Sequence, residues 1–155
     1  MTWQGQVAGI FITEQGGAAM RSLAEVMAVA GVGLEGDRYA TGGGAFSSPD
    51  DPGKHVTLIE SEALEAAARD YGVALADGDS RRNIVTAGVP LNHLVDVEFT
   101  VGATRLRGVK LCEPCGYLEE KTGQKVIRAL RHRGGLNAEI IDGGPIRVGD
   151  PVAPV

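Results

Sequence analysis

The feature that most limits how this chain can fold is a hairpin that runs straight into a pair of cysteines. Val97, Phe99 and Val101 alternate with Glu98 and Thr100, as in a half-buried strand. Gly102 and Ala103 make a tight turn, and a returning strand is expected over Thr104 to Leu111. Its alternation slips at Gly108, between Leu106 and the pair Val109 and Leu111, and a β-bulge at Gly108 accounts for the slip. Glu113-Pro114 ends the strand, because proline cannot donate to a ladder, and the turn it presets presents Cys115.

The rest of the chain follows the same short-strand pattern. Strands are expected at Val7 to Ile12 (interrupted by Gly9), Leu23 to Val29, His55 to Ile59, and around Ser80 to Thr86 after a turn at Asp77 to Asp79. Two more, Ala138 to Ile141 and Ile146 to Val148, flank a turn at Asp142 to Pro145, and Gly149-Asp150-Pro151 closes the fold. Ser61 to Tyr71 reads as a core-packing helix with Leu64, Ala67, Ala68 and Tyr71 on one face, Ser61 as N-cap and Gly72 as stop. A second helix is expected over Thr122 to Arg133, burying Val126, Ile127 and Leu130, with Gly134-Gly135 ending it. Eight or so short strands, two helices and no βαβ alternation give a mostly β chain, a barrel or sandwich decorated with helices. With no linker or repeat in 155 residues, residues 1–155 form one domain. The longest irregular stretch runs to Gly53, and its Gly42-Gly43-Gly44 run suggests mobility.

Composition removes several function classes. A net charge of −5 and 5% aromatics argue against nucleic acid and anionic membrane as partners. No apolar run approaches a membrane span, and Met1 to Gln6 has no basic start or apolar core of a leader. A reducing cytoplasm is therefore expected, where a C-x-x-C reads as metal-binding or redox-active before structural.

Cys112 and Cys115 are the two cysteines of the chain. A structural zinc site needs four ligands, and no second C-x-x-C accompanies this one. A thioredoxin-like dithiol needs a helix N-terminus within a βαβ frame, and the next helix is expected to begin several residues later. Two inert buried thiols are the bland alternative. What remains is a single working thiolate at Cys115 that carries sulfur or holds a soft metal. Arg81 and Arg82, adjacent on an expected strand, point to opposite faces, so one turns inward towards an anion or both are solvated. Asn83 is placed to line a pocket mouth. Asp37 and Arg38 form a structural pair, or Arg38 faces a ligand phosphate. The glycine run lacks the Gly-Lys-Ser/Thr ending of a phosphate-binding loop.

Taken together, several stretches resemble the MOSC family, the domain named for the C-terminal part of molybdenum cofactor sulfurase. They are Gly33-Leu-Glu-Gly-Asp-Arg38, His55-Val-Thr-Leu-Ile-Glu-Ser-Glu-Ala-Leu64, Arg81-Arg82-Asn83-Ile84, Pro114-Cys115 with Leu118, and Gly143 to Asp150. The resemblance implies a closed or partly closed β-barrel with two or more short peripheral helices, in a stand-alone bacterial-type member. It also implies that Cys115 is the family's cysteine, which carries a persulfide in sulfurases and ligates molybdenum beside a pterin dithiolene in amidoxime-reducing relatives. Arg81 and Asn83 would contact that molybdopterin-type cofactor. Apart from the resemblance, Arg38 and Arg82 are further candidate anion holders, and the C-x-x-C spacing alone offers Cys112 as a thiol that resolves a persulfide.

The expectation is a sulfur carrier or molybdenum-cofactor-binding domain working through Cys115. The alternatives are a reductase component for N-hydroxylated substrates and a non-catalytic small-ligand barrel. Whether the chain is an enzyme is left open between a sulfurtransferase-type and a molybdoenzyme component. The partners implied are an anionic small-molecule cofactor and a cysteine desulfurase or electron-transfer protein. No pyridoxal phosphate lysine is marked, and no zinc is expected.

Overall fold

The computed structural model describes residues 1–42, 51–76 and 78–155. The glycine run from Gly43 onward and the expected turn residue Asp77 lie outside the described residues.

Seven strands close a barrel. In chain order they are β1 (Gly5–Ile12), β5 (Val56–Glu60), β6 (Ile84–Ala87), β7 (Glu98–Val101), β8 (Thr104–Leu111), β9 (Leu136–Asp142) and β11 (Pro151–Pro154). The sheet runs β11-β7-β8-β9-β5-β6-β1, and β1 pairs back onto β11 through Gly5 and Val152. Strand β2 (Arg21–Leu23) extends the sheet beyond β1. A small second sheet joins β10 (Gly144–Arg147), β3 (Glu25–Val29) and β4 (Gly33–Leu34). Closure removes exposed sheet edges. The expected mostly β barrel is therefore the observed one, although Gly149-Asp150-Pro151 leads into a closing strand rather than ending the fold.

The hairpin is built as its alternation demands. Phe99, Val101, Leu106 and Thr104 point inward and are buried, while Arg105 and Arg107 pair with Asp142 and Asp96 outside. The ladder between β8 and β9 shifts register between Gly108 and Lys110. A Cβ at Gly108 would collide with the Leu94 carbonyl, so the bulge needs glycine for close backbone approach.

Strands β5 and β6 and the second half of β1 are buried on both faces. Ile10, Leu58 and Ile84 fill the barrel, and their neighbours Phe11, Ile59 and Val85 enter a second core outside it. That is why these segments read as continuous apolar runs rather than alternating ones. The second core lies under α2 (Ser61–Tyr71), which buries Ala63, Ala66 and Ala67. The helix bounds match the expectation, but the buried face is turned: Leu64 is half-buried, Ala68 and Tyr71 are exposed, and Glu60 rather than Ser61 is the N-cap. Strands β5 and β6 are parallel, with Leu58 opposite Ile84, and α2 is their crossover. One βαβ unit thus lies inside the barrel, contrary to expectation. All three of its elements are expected from the sequence, but not that the two strands pair in parallel.

Within the expected helix at Thr122 to Arg133 only a four-residue helix forms, and a separate helix precedes it. α3 (Gly116–Thr122) begins at Cys115 and ends on the left-handed Gly123. α4 (Val126–Ala129) follows and buries Val126 and Ala129, with Leu130 behind them; Ile127 is only half-buried. The short helix α1 (Arg38–Thr41) forms within the glycine-rich stretch because the Asp37 side chain caps it at the Tyr39 amide.

His55 shows how tightly the loop before β5 is fixed. Its ring is buried, and Nδ1 accepts a hydrogen bond from the Ile140 amide at 3.1 Å. Burial pushes its pKa below the ordinary 6.5, the neighbouring Glu139 and Asp51 offsetting only part of the effect. Above about pH 6.5 both folded and unfolded chains carry neutral His55, and its full contribution to stability is present. As pH falls below that value the unfolded chain gains a proton first, so stability declines towards the lower folded pKa. Urea midpoints measured from pH 7.5 down to 5 should fall with this slope, and His55→Gln should flatten it.

Candidate functional site

A cavity of about 330 Å³ opens where α1, the start of α3 and the ends of β8 and β9 meet. It is within the usual size range of small-molecule sites, about 300–1,000 Å³. Cys112 and Cys115 both line it, Cys112 half-buried and Cys115 exposed.

The loop carrying them is held by a buried arginine. Arg82 Nε donates to the Gly134 carbonyl at 2.8 Å, and its terminal nitrogens donate to the carbonyls of Cys112 at 3.0 Å and Ser80 at 3.4 Å. The Cys112 amide in turn donates to the Gly135 carbonyl at 2.7 Å. Gly134 and Gly135 are required by this packing. A Cβ on Gly134 would meet the Cys112 carbonyl oxygen at 2.6 Å, and one on Gly135, at φ +120°, would strike the Leu58 carbonyl. Pro114 then turns the chain so that Cys115 becomes the N-cap residue of α3, its carbonyl accepting from the Leu118 and Glu119 amides. The helix therefore starts immediately after Cys115 and not several residues later. The βαβ frame of a thioredoxin-like dithiol is still missing here, since the strand before Cys112 is antiparallel to both its neighbours.

Arg38 and Asp37 form the expected structural pair at 3.1 Å, with Asp37 fully buried and also accepting from the Thr13 and Tyr39 amides. Arg38 nonetheless reaches the cavity wall, lies over the Tyr39 ring at 4.4 Å and donates to the Arg81 carbonyl at 3.1 Å. Arg38 is therefore structurally paired and also part of the cavity wall.

Arg81 is not on a strand. It precedes β6 in a left-handed conformation, φ +61°, so the argument from alternate strand faces does not apply to it. Its guanidinium donates to the Ala18 carbonyl at 2.7 Å and, among the described residues, lies within ion-pair range of no carboxylate. Burial, and then the Arg38 cation beside it, push its pKa down, with Tyr117, Tyr39 and Asp37 offsetting part of this. A cation disfavoured in this way is stabilised when an anion arrives. Tyr39 is shifted the other way, mainly by burial, so its hydroxyl stays protonated and able to donate.

Asn83 is not in the cavity wall. It is fully buried, and its side chain accepts from the Thr57 amide and hydroxyl and donates to the Phe11 carbonyl. Its work is to tie β1, β5 and the entry to β6 together. Lys54, Lys110, Tyr39, Tyr117 and Asn137 line the cavity without having been singled out as site residues in the sequence.

Among the described residues the lining therefore holds five cations, Arg38, Lys54, Arg81, Arg82 and Lys110, against one carboxylate, Glu113. Glu113 itself is engaged with the His132 amide at 3.1 Å. Among the described residues there is no cluster of three or more His, Cys, Asp or Glu that could hold a metal ion alone.

A family model described as the MOSC domain matches residues 38–153. The chain belongs to the MOSC family. Among solved structures, this MOSC domain is similar to YuaD from Bacillus subtilis, with TM-score 0.78 and 15% identity, covering 97% of this chain and 96% of that one. It is similar to YiiM from Geobacillus stearothermophilus, with TM-score 0.74 and 16% identity over 97% of this chain and 75% of that one. YiiM from Escherichia coli follows with TM-score 0.67 and 17% identity over 97% and 69%. At these identities the likeness establishes a shared fold. A search of curated protein sequences gave no significant match to this MOSC domain. Among the described residues no helix is long and apolar enough to cross a membrane.

Proposed function

We propose that this MOSC domain binds the molybdenum cofactor and offers Cys115 as the protein thiolate to its metal. The family is associated with that cofactor. The observation that supports the reading most is the cavity lining, five cations to one carboxylate in a chain of net charge −5. Arg38 already has Asp37, but Arg81 lies in ion-pair range of no carboxylate among the described residues, and a partly buried cation of that kind is stabilised when an anion joins it. The donor set also fits. A lone exposed thiolate cannot fix a bare metal ion, but it suits a soft metal that arrives with its other ligands already in place. Bound there, the cofactor would supply redox and sulfur chemistry. The chain's own residues bind and orient: Arg81 and Arg38 hold anionic groups, Tyr39 donates from a protonated hydroxyl, and Arg82 fixes the loop that presents Cys115.

The exposure of Cys115 supports a second reading, a sulfur carrier. Its thiolate would attack the terminal sulfur of a persulfide on a cysteine desulfurase, form the new S–S bond and release the donor thiolate. Both readings call for a reducing compartment such as the cytoplasm.

Protein purified without reductant from molybdenum-replete cells separates them by intact mass, native and denatured, with elemental analysis. Stoichiometric molybdenum with a pterin mass lost on denaturation is expected. A reducible gain of one sulfur at Cys115 would favour the carrier. A bare chain whose Cys115 reacts with a thiol probe no faster than an ordinary cysteine would remove both.

A further inference from the structure

Asn137 sits in β9 opposite Thr57 on one side and Lys110 on the other, and it lines the cavity beside Lys110. The residue is 7% exposed, yet its side chain makes no hydrogen bond among the described residues. No fully enclosed side-chain nitrogen or oxygen among them lacks a partner, so the free amide atoms of Asn137 must face the cavity. A largely buried side chain with no protein partner, its amide turned to a cavity, is placed for a ligand to complete. Its role is separate from that of Asn83, whose amide is used within the fold.

We infer that Asn137 is a ligand-contacting residue that selects for an uncharged heterocyclic edge. A carboxamide offers a donor and an acceptor in one plane, which pairs with a neighbouring acceptor and donor on a planar ring such as a lactam. The cations around it are suited to the charged groups of the same molecule and cannot read such an edge, because lysine and arginine only donate. Specificity for the heterocycle then rests on Asn137, and attraction for the anion on Arg81 and its neighbours. This rests on the reading that the cavity takes an anionic cofactor.

The test uses the full chain and two probes, pterin-6-carboxylate, which carries a lactam edge and an anion, and inorganic phosphate, which carries the anion alone. In Asn137→Leu, affinity for the pterin carboxylate should fall about tenfold or more, the usual worth of a paired amide contact. Phosphate affinity should stay within about twofold, and Arg81→Asn should weaken both probes. Because Asn137 has no side-chain bond to lose, Asn137→Leu should melt within about 2–4 °C of the wild type. Unchanged pterin affinity in Asn137→Leu and Asn137→Ser, or a marked fall in melting temperature in both, would overturn the role of Asn137 alone. Failure of the wild-type chain to bind either probe would overturn the cofactor reading together with it.

Discussion

Replacing Gly135 by alanine should lower the stability of the chain by about 2–6 kcal/mol and dismantle the loop that presents Cys115. Two costs add. At φ +120° a residue with a Cβ is strained, at about 1–3 kcal/mol. The new methyl also strikes the Leu58 carbonyl, main chain of a barrel strand that cannot swing aside, and overpacking of this kind costs about 1–3 kcal/mol more. Each kcal/mol is worth about 2–4 °C in a chain of this size, so a fall near 10 °C is expected in a thermal melt. The damage reaches the site because the Gly135 carbonyl accepts from the Cys112 amide and its neighbour Gly134 accepts from Arg82. Gly149, at φ +93° with nothing within 4 Å of its Cβ direction, is the control. Its alanine variant carries the backbone term alone and should lose about 1 kcal/mol. Equal losses at the two positions would contradict the packing account.

Arg81→Asn should separate binding from folding. Asparagine tolerates the left-handed backbone of Arg81, and the Arg38 cation loses a like-charged neighbour. Against that, the bond to the Ala18 carbonyl disappears, at about 1 kcal/mol. The melting temperature should therefore change little. Affinity for phosphate or another small anion should fall about 10- to 100-fold, since a charge-assisted contact in a partly enclosed site is worth about 1.5–3 kcal/mol. Added phosphate should raise the melting temperature of the wild type by mass action and leave that of Arg81→Asn unmoved. A variant that still responds to phosphate as the wild type does would show that the anion sits elsewhere.

Local chemistry made much of this legible in the sequence. The hairpin at Thr104 to Leu111, the bulge at Gly108, the bounds of α2 and the cysteine loop follow from alternation, glycine and proline. What was hidden depends on contacts distant in sequence. Strand β11 closes the barrel although Pro151 and Pro154 argue against a strand there; Pro154 falls opposite Phe99 at the end of the ladder. Arg81 takes a left-handed turn with no glycine or asparagine to announce it, because its carbonyl is claimed by Arg38 and its side chain by Ala18. Asn83 carried the right motif but the wrong role, since only the packed barrel shows its amide bonded to Thr57 and Phe11. Asn137 left one readable sign, a lone amide between Leu136 and Ala138 in an apolar strand.

The central claim is that Cys115 supplies a thiolate to a molybdenum centre held in the cationic cavity. X-ray absorption at the molybdenum edge tests it most directly, on cofactor-loaded wild type and on Cys115→Ser. Cys115 is exposed and its side chain makes no capping bond, so the variant should fold as the wild type does. The account predicts one more sulfur neighbour of molybdenum in the wild type than in the variant. The same sulfur shell in both, with the cofactor still bound, would contradict it.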